Sequence, residues 1–522
     1  MKHSIIKAFA ASLLLPAFFA VSAEAVDLSY PAAEYTYVTD LTAPKDTDAS
    51  LLTDGMESTA CEFKKGDTLR LQCEAPIGGI YIKFDMKQTK WCASAGEAAL
   101  QFGTNGFLHE YADVSQLNSG EITMNFQEDT QICEIRIFSA GKPPENVQLW
   151  QPQYDKADIA LFSSHSDDET LFLLGLIPTA AAQGKRLQVI YFCHHNDKPN
   201  RLHEQLNGLW TSGCTHYPVI GIYPDHYSES IEAARNIYAN CGYSEDQIIA
   251  YQVEMLRRFK PNVICGHDVY GEYGHGTHCL NTDTLLKAVE IASKPEMYED
   301  TAQTYGVWDV PKTYIHLWKE NPITLDFDTP LDYFGGKTAY QVSVEGYGCH
   351  YSQHWTWFTR WLKGTDDEPI SAASEIEKYS PCEYGLYRST VGADTGIGDL
   401  FEHIPPEEPP AETQPPAPQE TMTWTTTQTT TTSTSATTTT ATTTSTTTTT
   451  TVVTTQTTTT ETIAAIQPEP GEYDGADQSN DLPWIIGGGA VCAGGLLLVR
   501  SHIRKQKRRK KRRRRRNQQY LH

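Results

Sequence analysis

Between residues 27 and 150, hydrophobic and polar positions alternate in short runs separated by turn residues. The clearest are Thr68-Leu-Arg-Leu-Gln-Cys73, Gly79-Ile-Tyr-Ile-Lys-Phe84, Glu121-Ile-Thr-Met-Asn-Phe126 and Ile132-Cys-Glu-Ile-Arg-Ile-Phe138. No helical period is sustained, and a period of two turns one face of each segment toward a core, which predicts a small antiparallel β-sandwich over residues 26–150. After Asp155 the pattern changes. Apolar runs at 157–163, 186–193, 219–223 and 262–267 read as buried strands, and 169–183, 200–211 and 244–259 read as helices between them. This alternation predicts an α/β fold over residues 151–403, a mostly parallel sheet with helices on both faces. Sites in such sheets gather at the carboxyl ends of strands, so the loops after Ser163, Cys193 and Cys265 are where chemistry is expected.

The two ends follow other rules. Lys2, His3 and Lys7, an apolar run from Ala8 to Val21 and Ala23-Glu24-Ala25 have the order of a secretory signal peptide over residues 1–25. Residues 404–482 are a Pro/Thr-rich linker, with Thr421 to Thr462 lacking any apolar period; a disordered stalk is expected because such a tract cannot bury a core. Residues 483–499 are uncharged and, at about 1.5 Å per residue, roughly 25 Å long as a helix, the short limit for a transmembrane span. The basic tail 500–522 is expected to stay cytoplasmic. The expectation is a secreted chain anchored in the plasma membrane by one C-terminal helix, its globular part extracellular.

Composition narrows the classes further. The net charge is −23, yet thirteen of the 42 Lys and Arg residues lie between Arg500 and Arg516. A basic tail on a strongly acidic remainder argues against a nucleic-acid binder. The 27 Tyr, 17 Phe and 10 Trp lie almost entirely outside the Thr-rich tract, which excludes a wholly disordered chain. Long apolar runs occur only near the two ends, which excludes a multi-span membrane protein. Cys61, Cys73, Cys92 and Cys133 form an even set, for which two disulfides are expected in an oxidising compartment, their pairing open. Cys193, Cys214, Cys241, Cys265, Cys279, Cys349 and Cys382 show no C-x-x-C spacing, so no thiolate zinc site is expected among them. The sequence leaves the oligomeric state open.

The first of the three loops reads Ser164-His165-Ser166-Asp167-Asp168-Glu169, and the segment beyond the last strand reads Tyr270-Gly271-Glu272-Tyr273-Gly274-His275-Gly276-Thr277-His278. Helix capping accounts for one Asp, and the helix dipole for Glu169, but neither accounts for His165. His275 and His278 are three apart and share a face at a helix start. Together the loops offer His, Asp and His to a divalent metal with a carboxylate to spare, and three N/O ligands leave a position for water, as in a catalytic zinc site. His194-His195, after the second strand, could line the cleft or be a solvated loop pair, and His267-Asp268, ending a strand near the site, could orient a ligand histidine or serve the core or a cap. Tyr351–Trp361, with Trp355 and Trp357, could stack a sugar or pack a terminal helix, and packing is the expectation. No Gly-rich phosphate loop or G-x-S-x-G occurs, so nucleotide binding and serine hydrolysis lack support.

These two segments resemble the PIG-L/LmbE-like de-N-acetylases, whose signature is (A/P)-H-P-D-D-E after the first strand of a Rossmann-like domain, with H-P-D-H downstream. The similarity spans roughly Asp155 to Trp361, with Arg201-Leu-His-Glu204 and His350-Tyr-Ser-Gln353 as further agreements. The resemblance implies that His165, Asp168 and His278 bind Zn2+ or another divalent metal and that Asp167 is the general base. It implies that His275 assists as acid or electrostatic partner, that Tyr273 polarises the amide carbonyl, and that Arg201 binds substrate. Ser166 stands where the family has proline, and Thr277 where it has an acid. Leu52-Thr53-Asp54-Gly55 and the strand at 132–138 make the sandwich similar to discoidin-type, galactose-binding-like domains, in which Tyr81, Trp91 or Phe107 would have to be exposed to stack a sugar. The expectation is a cell-surface, zinc-dependent deacetylase of an N-acetylated amino sugar or glycan. The alternatives are a non-catalytic glycan-binding adhesin that keeps the metal motif, and a metal-dependent hydrolase of another small amide.

Overall fold

The computed structural model describes residues 40–45 and 47–406. The predicted signal peptide, transmembrane helix and basic tail, and all of the linker but its first three residues, lie outside the described residues. Among the described residues no helix is long and apolar enough to cross a membrane.

Nine antiparallel strands build the amino-terminal sandwich: β1 (Asp40–Thr42), β2 (Cys61–Phe63), β3 (Thr68–Gln72), β4 (Gly79–Phe84), β5 (Trp91–Ala95), β6 (Ala98–Phe102), β7 (His109–Asp113), β8 (Glu121–Phe126) and β9 (Thr130–Phe138). One sheet has the order β1-β3-β8-β5-β6 and the other β2-β9-β4-β7. The alternation read from sequence is their burial pattern: Leu69 and Leu71 of β3 and Ile122, Met124 and Phe126 of β8 point inward between polar neighbours. β4 departs from it, being buried on both faces. Its inner residues Ile80, Ile82 and Phe84 enter the sandwich core, while Lys83 on the other face reaches Asn207 of the second region. Tyr81, Trp91 and Phe107 are buried, so none of them offers a ring for sugar stacking.

The expected disulfides are absent: all eleven cysteines among the described residues are free thiols. Cys61 stands opposite Ile132 in the ladder, so a one-residue offset turns Cys133 to the other face. Cys73 follows β3 and Cys92 lies on β5, with β8 between them; two strand spacings are about 9–10 Å, beyond disulfide reach.

In the second region β10 (Ile159–Ser163), β11 (Leu187–Tyr191), β14 (Val263–Gly266) and β15 (Lys312–His316) are parallel in the order β11-β10-β14-β15. The antiparallel strands β19 (Glu383–Ser389) and β16 (Pro322–Thr324) complete the sheet. Two short parallel strands, β12 (Cys193–His194) and β13 (Tyr223–Pro224), pair above its edge, and β17 (Pro330–Leu331) with β18 (Lys337–Thr338) forms a separate ladder. Ile159 and Leu161 face a core shared with α1 (Leu176–Ala182), α2 (Pro199–Thr211) and α7 (Ala339–Tyr347). Ala160 and Phe162 face the opposite core, shared with α3 (Ile231–Asn240), α4 (Glu245–Phe259) and α5 (Gly276–Ile291). The sheet is therefore covered on both faces, as continuous apolar strands require. α4 starts on a Ser244/Gln247 capping box, and the short α6 (Glu299–Tyr305) follows α5 in the chain.

Two elements differ from expectation. The strand read at 219–223 is reduced to β13 and a single bridge between Ile190 and Val219. Gly221 presses against the Phe192 and Cys193 carbonyls, where a Cβ would lie 2.3–2.4 Å away, and the chain bends off the sheet there. The helix read from Glu169 begins only at Leu176, because Thr170 and Leu171 donate to Asp167 O and Leu173 to Asp168 O in successive turns. Gly175 then enters α1 at φ +82°, with an added Cβ 2.4 Å from the Phe327 ring. Gly175→Ala is expected to destabilise the fold by about 1–3 kcal/mol. Urea unfolding checks this, and a midpoint equal to that of the parent would refute it.

Candidate active site

β10 has β11 on one side and β14 on the other, so the chain leaves β10 at the switch point of the parallel sheet. The loop there is shaped by its own polar groups. His165 N–H donates to Asp168 Oδ2 (2.8 Å), which delivers this imidazole and carboxylate to one place. Asp167 has φ +136°, a conformation that costs a non-glycine residue about 1–3 kcal/mol. Its N–H donates to Glu169 Oε2 (2.9 Å) and its carbonyl accepts from Thr170 Oγ1 (2.9 Å), which hold it there. Ser166 donates from N–H to His195 Nε2 (3.2 Å) and from Oγ to Arg201 O (3.0 Å). A proline at 166 would lack both donors, so the serine ties the loop to β12 and α2.

The second segment arrives from β14 and α5. His278 Nδ1 donates to Glu272 Oε2 (2.5 Å), which turns Nε2 toward the loop. Glu272 is fully buried and also receives His267 Nδ1 (3.0 Å), His316 Nδ1 (2.7 Å) and Asp268 N–H (3.2 Å). Burial alone would raise its pKa, but His267 and His278 outweigh it and hold the carboxyl well below the usual range. His267 is not free to be a ligand, because its Nε2 accepts Ser164 N–H (3.0 Å). It locks the end of β14 to the loop after β10.

His165 Nδ1, His278 Nε2 and Asp168 Oδ2 form a triangle with edges of 3.1, 3.2 and 3.2 Å. A cation bonded at about 2.0–2.1 Å to three tetrahedral donors spaces them roughly 3.3–3.4 Å apart. The donor set and its spacing fit a divalent metal. Asp168, fully buried, is pushed up by burial, but His278 and His267 bring it well below the usual carboxylate range. Burial opposes a charge on His278 too; Asp168 and Glu272 overcome this and lift its pKa to about 10. Two carboxylates thus make this pocket strongly favourable to a positive charge.

Asp167 lies beside the triangle and off it. Burial first, then Asp168 and Glu169 against the opposing Arg201, raise its pKa well above the carboxylate range, a setting suited to taking up a proton. His275 stacks on His278 at 4.6 Å and meets His165 at the same distance with the rings tilted by 54°. Its Nδ1 accepts Thr277 N–H (3.1 Å), so the ring proton sits on Nε2. Tyr273, in the left-handed region at φ +56°, packs edge-on against His275 and His278. Arg201 is brought to the site, but its guanidinium is engaged: it donates to Ser166 O (2.8 Å) and Asp225 (2.9 Å) and lies 3.5 Å from Asp167. It positions the loop rather than opening toward a substrate. Glu169 braces Asp167 and faces His350 Nε2 at 3.1 Å. Glu204 takes Ser352 N–H (2.9 Å) and Oγ (2.6 Å), so the two further agreements in the sequence meet in space.

His195 is buried and sits 3.3 Å from Asp225, whereas His194 points its Nδ1 to Asn196 N–H. Asp225 was not singled out from sequence. It follows β13 and gathers His165 Nε2 (3.7 Å), His195 and Arg201; its position at the carboxyl end of a strand is the signal that could have marked it. Glu272 lay within the quoted motif but looked like one more acid, and His316, on β15, had no local signal at all. Trp355 and Trp357, expected to be packed, are 66% and 45% exposed, with Tyr351 at 69%; Trp357 meets Tyr273 at 5.6 Å. On the other side the exposed Tyr227 meets His275 at 5.0 Å. The short α8 (Phe358–Lys363) is packed by Trp361 against Phe172 instead.

No family model matches the chain. Among curated proteins it is similar to several 1D-myo-inositol 2-acetamido-2-deoxy-alpha-D-glucopyranoside deacetylases. That of Geodermatophilus obscurus is 32% identical over 69 residues, 13% of this chain and 22% of that protein. That of Streptomyces scabiei is 23% identical over 186 residues, 31% of this chain and 56% of that protein. The chain therefore spans between about a fifth and just over half of the length of these relatives. Among solved structures, the N,N'-diacetylchitobiose deacetylase from Pyrococcus horikoshii aligns with 49% of this chain and 90% of its own, at 13% identity and a TM-score of 0.31. The curated relatives are deacetylases of an acetamido sugar, and the chain is similar to the PIG-L/LmbE-like de-N-acetylases.

Glu272→Gln keeps the side-chain shape but removes the charge that orients His278, and it is expected to weaken metal binding about 10–100-fold. Competition against a chelator of known affinity measures this. Parent-like affinity would mean that Glu272 does not support the ligand.

Proposed function

We propose that this chain is a metal-dependent amide hydrolase that removes the acetyl group from an N-acetylated amino sugar within a glycan. The observation that carries the reading is the convergence of His165, Asp168 and His278 on one point, with Asp167 next to it and off it. Zinc is the proposed metal, from its preference for this donor set. The exposed Trp357 and Tyr227 rings beside the site support a sugar as substrate, since aromatic faces bind the apolar faces of sugar rings. The similarity to acetamido-sugar deacetylases supports the same class.

An amide is a weak electrophile and water a weak nucleophile. A divalent ion held by His165, Asp168 and His278 would supply Lewis acidity, lowering the pKa of water toward about 7 and polarising the carbonyl. Asp167 accepts the proton of the attacking water as the new C–O bond forms. His275, with its proton on Nε2, and Tyr273, whose phenol stays protonated because burial and Asp168 raise its pKa, donate toward the developing oxyanion. The C–N bond then breaks, and the proton held by Asp167 goes to the leaving amine. Products are acetate and a free amino sugar. Arg201 and Glu169 keep Asp167 in its strained conformation.

The proposed location is the outer face of the plasma membrane, from the signal-like N-terminus and the apolar segment with its basic flank. The test of function is acetate release from N-acetylated oligosaccharides by the full-length protein supplied with zinc. Asp167→Asn is expected to retain metal while turnover falls about 10²–10⁴-fold. Chelation should abolish release and added zinc restore it. A metal-loaded protein that binds glycan without producing acetate would identify an adhesin, and release from peptides but not sugars would identify another amidase. Trp357→Ala is expected to raise KM for oligosaccharides several-fold with kcat nearly unchanged; an unaltered KM would remove the ring from substrate binding.

A further inference from the structure

A second group of potential ligands lies at the seam between the sandwich and the α/β sheet. Cys133 on β9 has its Sγ 3.7 Å from His203 Nε2 on α2 and 3.8 Å from Asp85 Oδ1, just past β4. All three donors lie within 4.8 Å of one another. Zinc bonds of about 2.3 Å to sulfur and 2.0–2.2 Å to nitrogen or oxygen place tetrahedral S···N and S···O pairs roughly 3.5–3.6 Å apart.

The surrounding hydrogen bonds orient the imidazole for this. Trp150 Nε1–H donates to Gln148 Oε1 (2.9 Å), and Gln148 Nε2 donates to Asn207 Oδ1 (2.7 Å), which identifies the two amide atoms. Gln148 Oε1 can only accept, so His109 Nδ1 donates to it (2.7 Å). With its proton on Nδ1, neutral His109 accepts at Nε2, and His203 Nδ1 must be the donor across the 2.8 Å contact. The proton of neutral His203 is thereby held on Nδ1, and the bare Nε2 lone pair faces the sulfur. A histidine whose remote nitrogen is anchored by a relay of this kind is the usual support of a metal ligand.

We propose that Cys133, His203 and Asp85 bind a divalent, zinc-like metal ion that staples α2 to the sandwich. Binding forms a metal–Sγ bond, breaks the S–H bond and releases that proton to solvent. Water completes the coordination on the half-buried Asp85 side. The same helix carries Arg201 to Asp167, so the staple steadies the element that positions the catalytic loop. This site stands on its own donors and does not depend on the proposed hydrolase activity.

The experiment is titration of the chelator-stripped, full-length protein with Co2+. A thiolate-to-cobalt charge-transfer band in the near ultraviolet is expected, absent in Cys133→Ser. Zinc per chain by elemental analysis should fall by one equivalent in the same variant. Asp85→Asn, at a half-buried position that tolerates the amide, is expected to weaken the cobalt response at least about 10-fold. Should Cys133→Ser fail to fold, the zinc absorption edge of the parent decides, through a sulfur neighbour at about 2.3 Å that Asp85→Asn depletes. No charge-transfer band in the parent, or a band that persists in Cys133→Ser, overturns the site. Acetate release is read separately, so either outcome leaves the hydrolase reading as it was.

Discussion

A carboxylate sealed from water is stable only when protons on its neighbours replace the lost solvation, and Glu272 meets that condition with three imidazoles and a backbone amide. Each partner comes from a different place: His267 from the end of β14, His278 from α5, His316 from β15. The anion therefore fastens two strands and a helix to one another while setting which nitrogen of His278 faces the loop. Removing it would leave several buried imidazoles without a counter-charge. The triangle of donors rests on this arrangement, because the bond from Nδ1 to Glu272 turns the other nitrogen of His278 toward His165 and Asp168.

Strain at the opposite side of the pocket has a comparable explanation. Asp167 sits at φ +136° because Glu169, Thr170 and Leu171 take up its amide and carbonyl, and Arg201 stands behind its carboxylate. Two adjacent acids then acquire opposite characters. Asp168, facing two imidazoles, is held as an anion, whereas Asp167, buried among like charges, is driven toward the proton. Environment alone thus separates two chemically identical side chains, one suited to hold a cation and one suited to take up a proton.

The two departures from the family signature fall into place on the same grounds. Ser166 supplies hydrogen bonds to His195 and Arg201 that a proline could not, so the loop is pinned from outside instead of stiffened from within. Thr277, where an acid was expected, binds His226 O with its hydroxyl and gives its N–H to His275. Support for His278 comes from Glu272, farther back in the chain. Both substitutions move a constraint to a neighbouring element without touching a ligand.

Much of this was legible in the order of residues. Alternation in 68–73 and 121–126 marked the sandwich, apolar runs marked β10, β11 and β14, and the carboxyl-end rule pointed to the His165–Glu169 loop and to the segment ending in His278. Local composition carries that information because strand and helix periods are set by nearest neighbours along the chain. What lay beyond it required distant segments to meet. His316 and the Cys133–His203–Asp85 group have no local signature, and Asp225 has only its place after a strand; each acquires meaning from partners tens to more than a hundred residues away. The disulfides expected from an even count of cysteines fail for the same reason, since face and strand order, not number, decide whether two sulfurs can touch. The exposure of Trp355 and Trp357 was likewise settled by packing, because Trp361 and Phe358 already fill the space against Phe172.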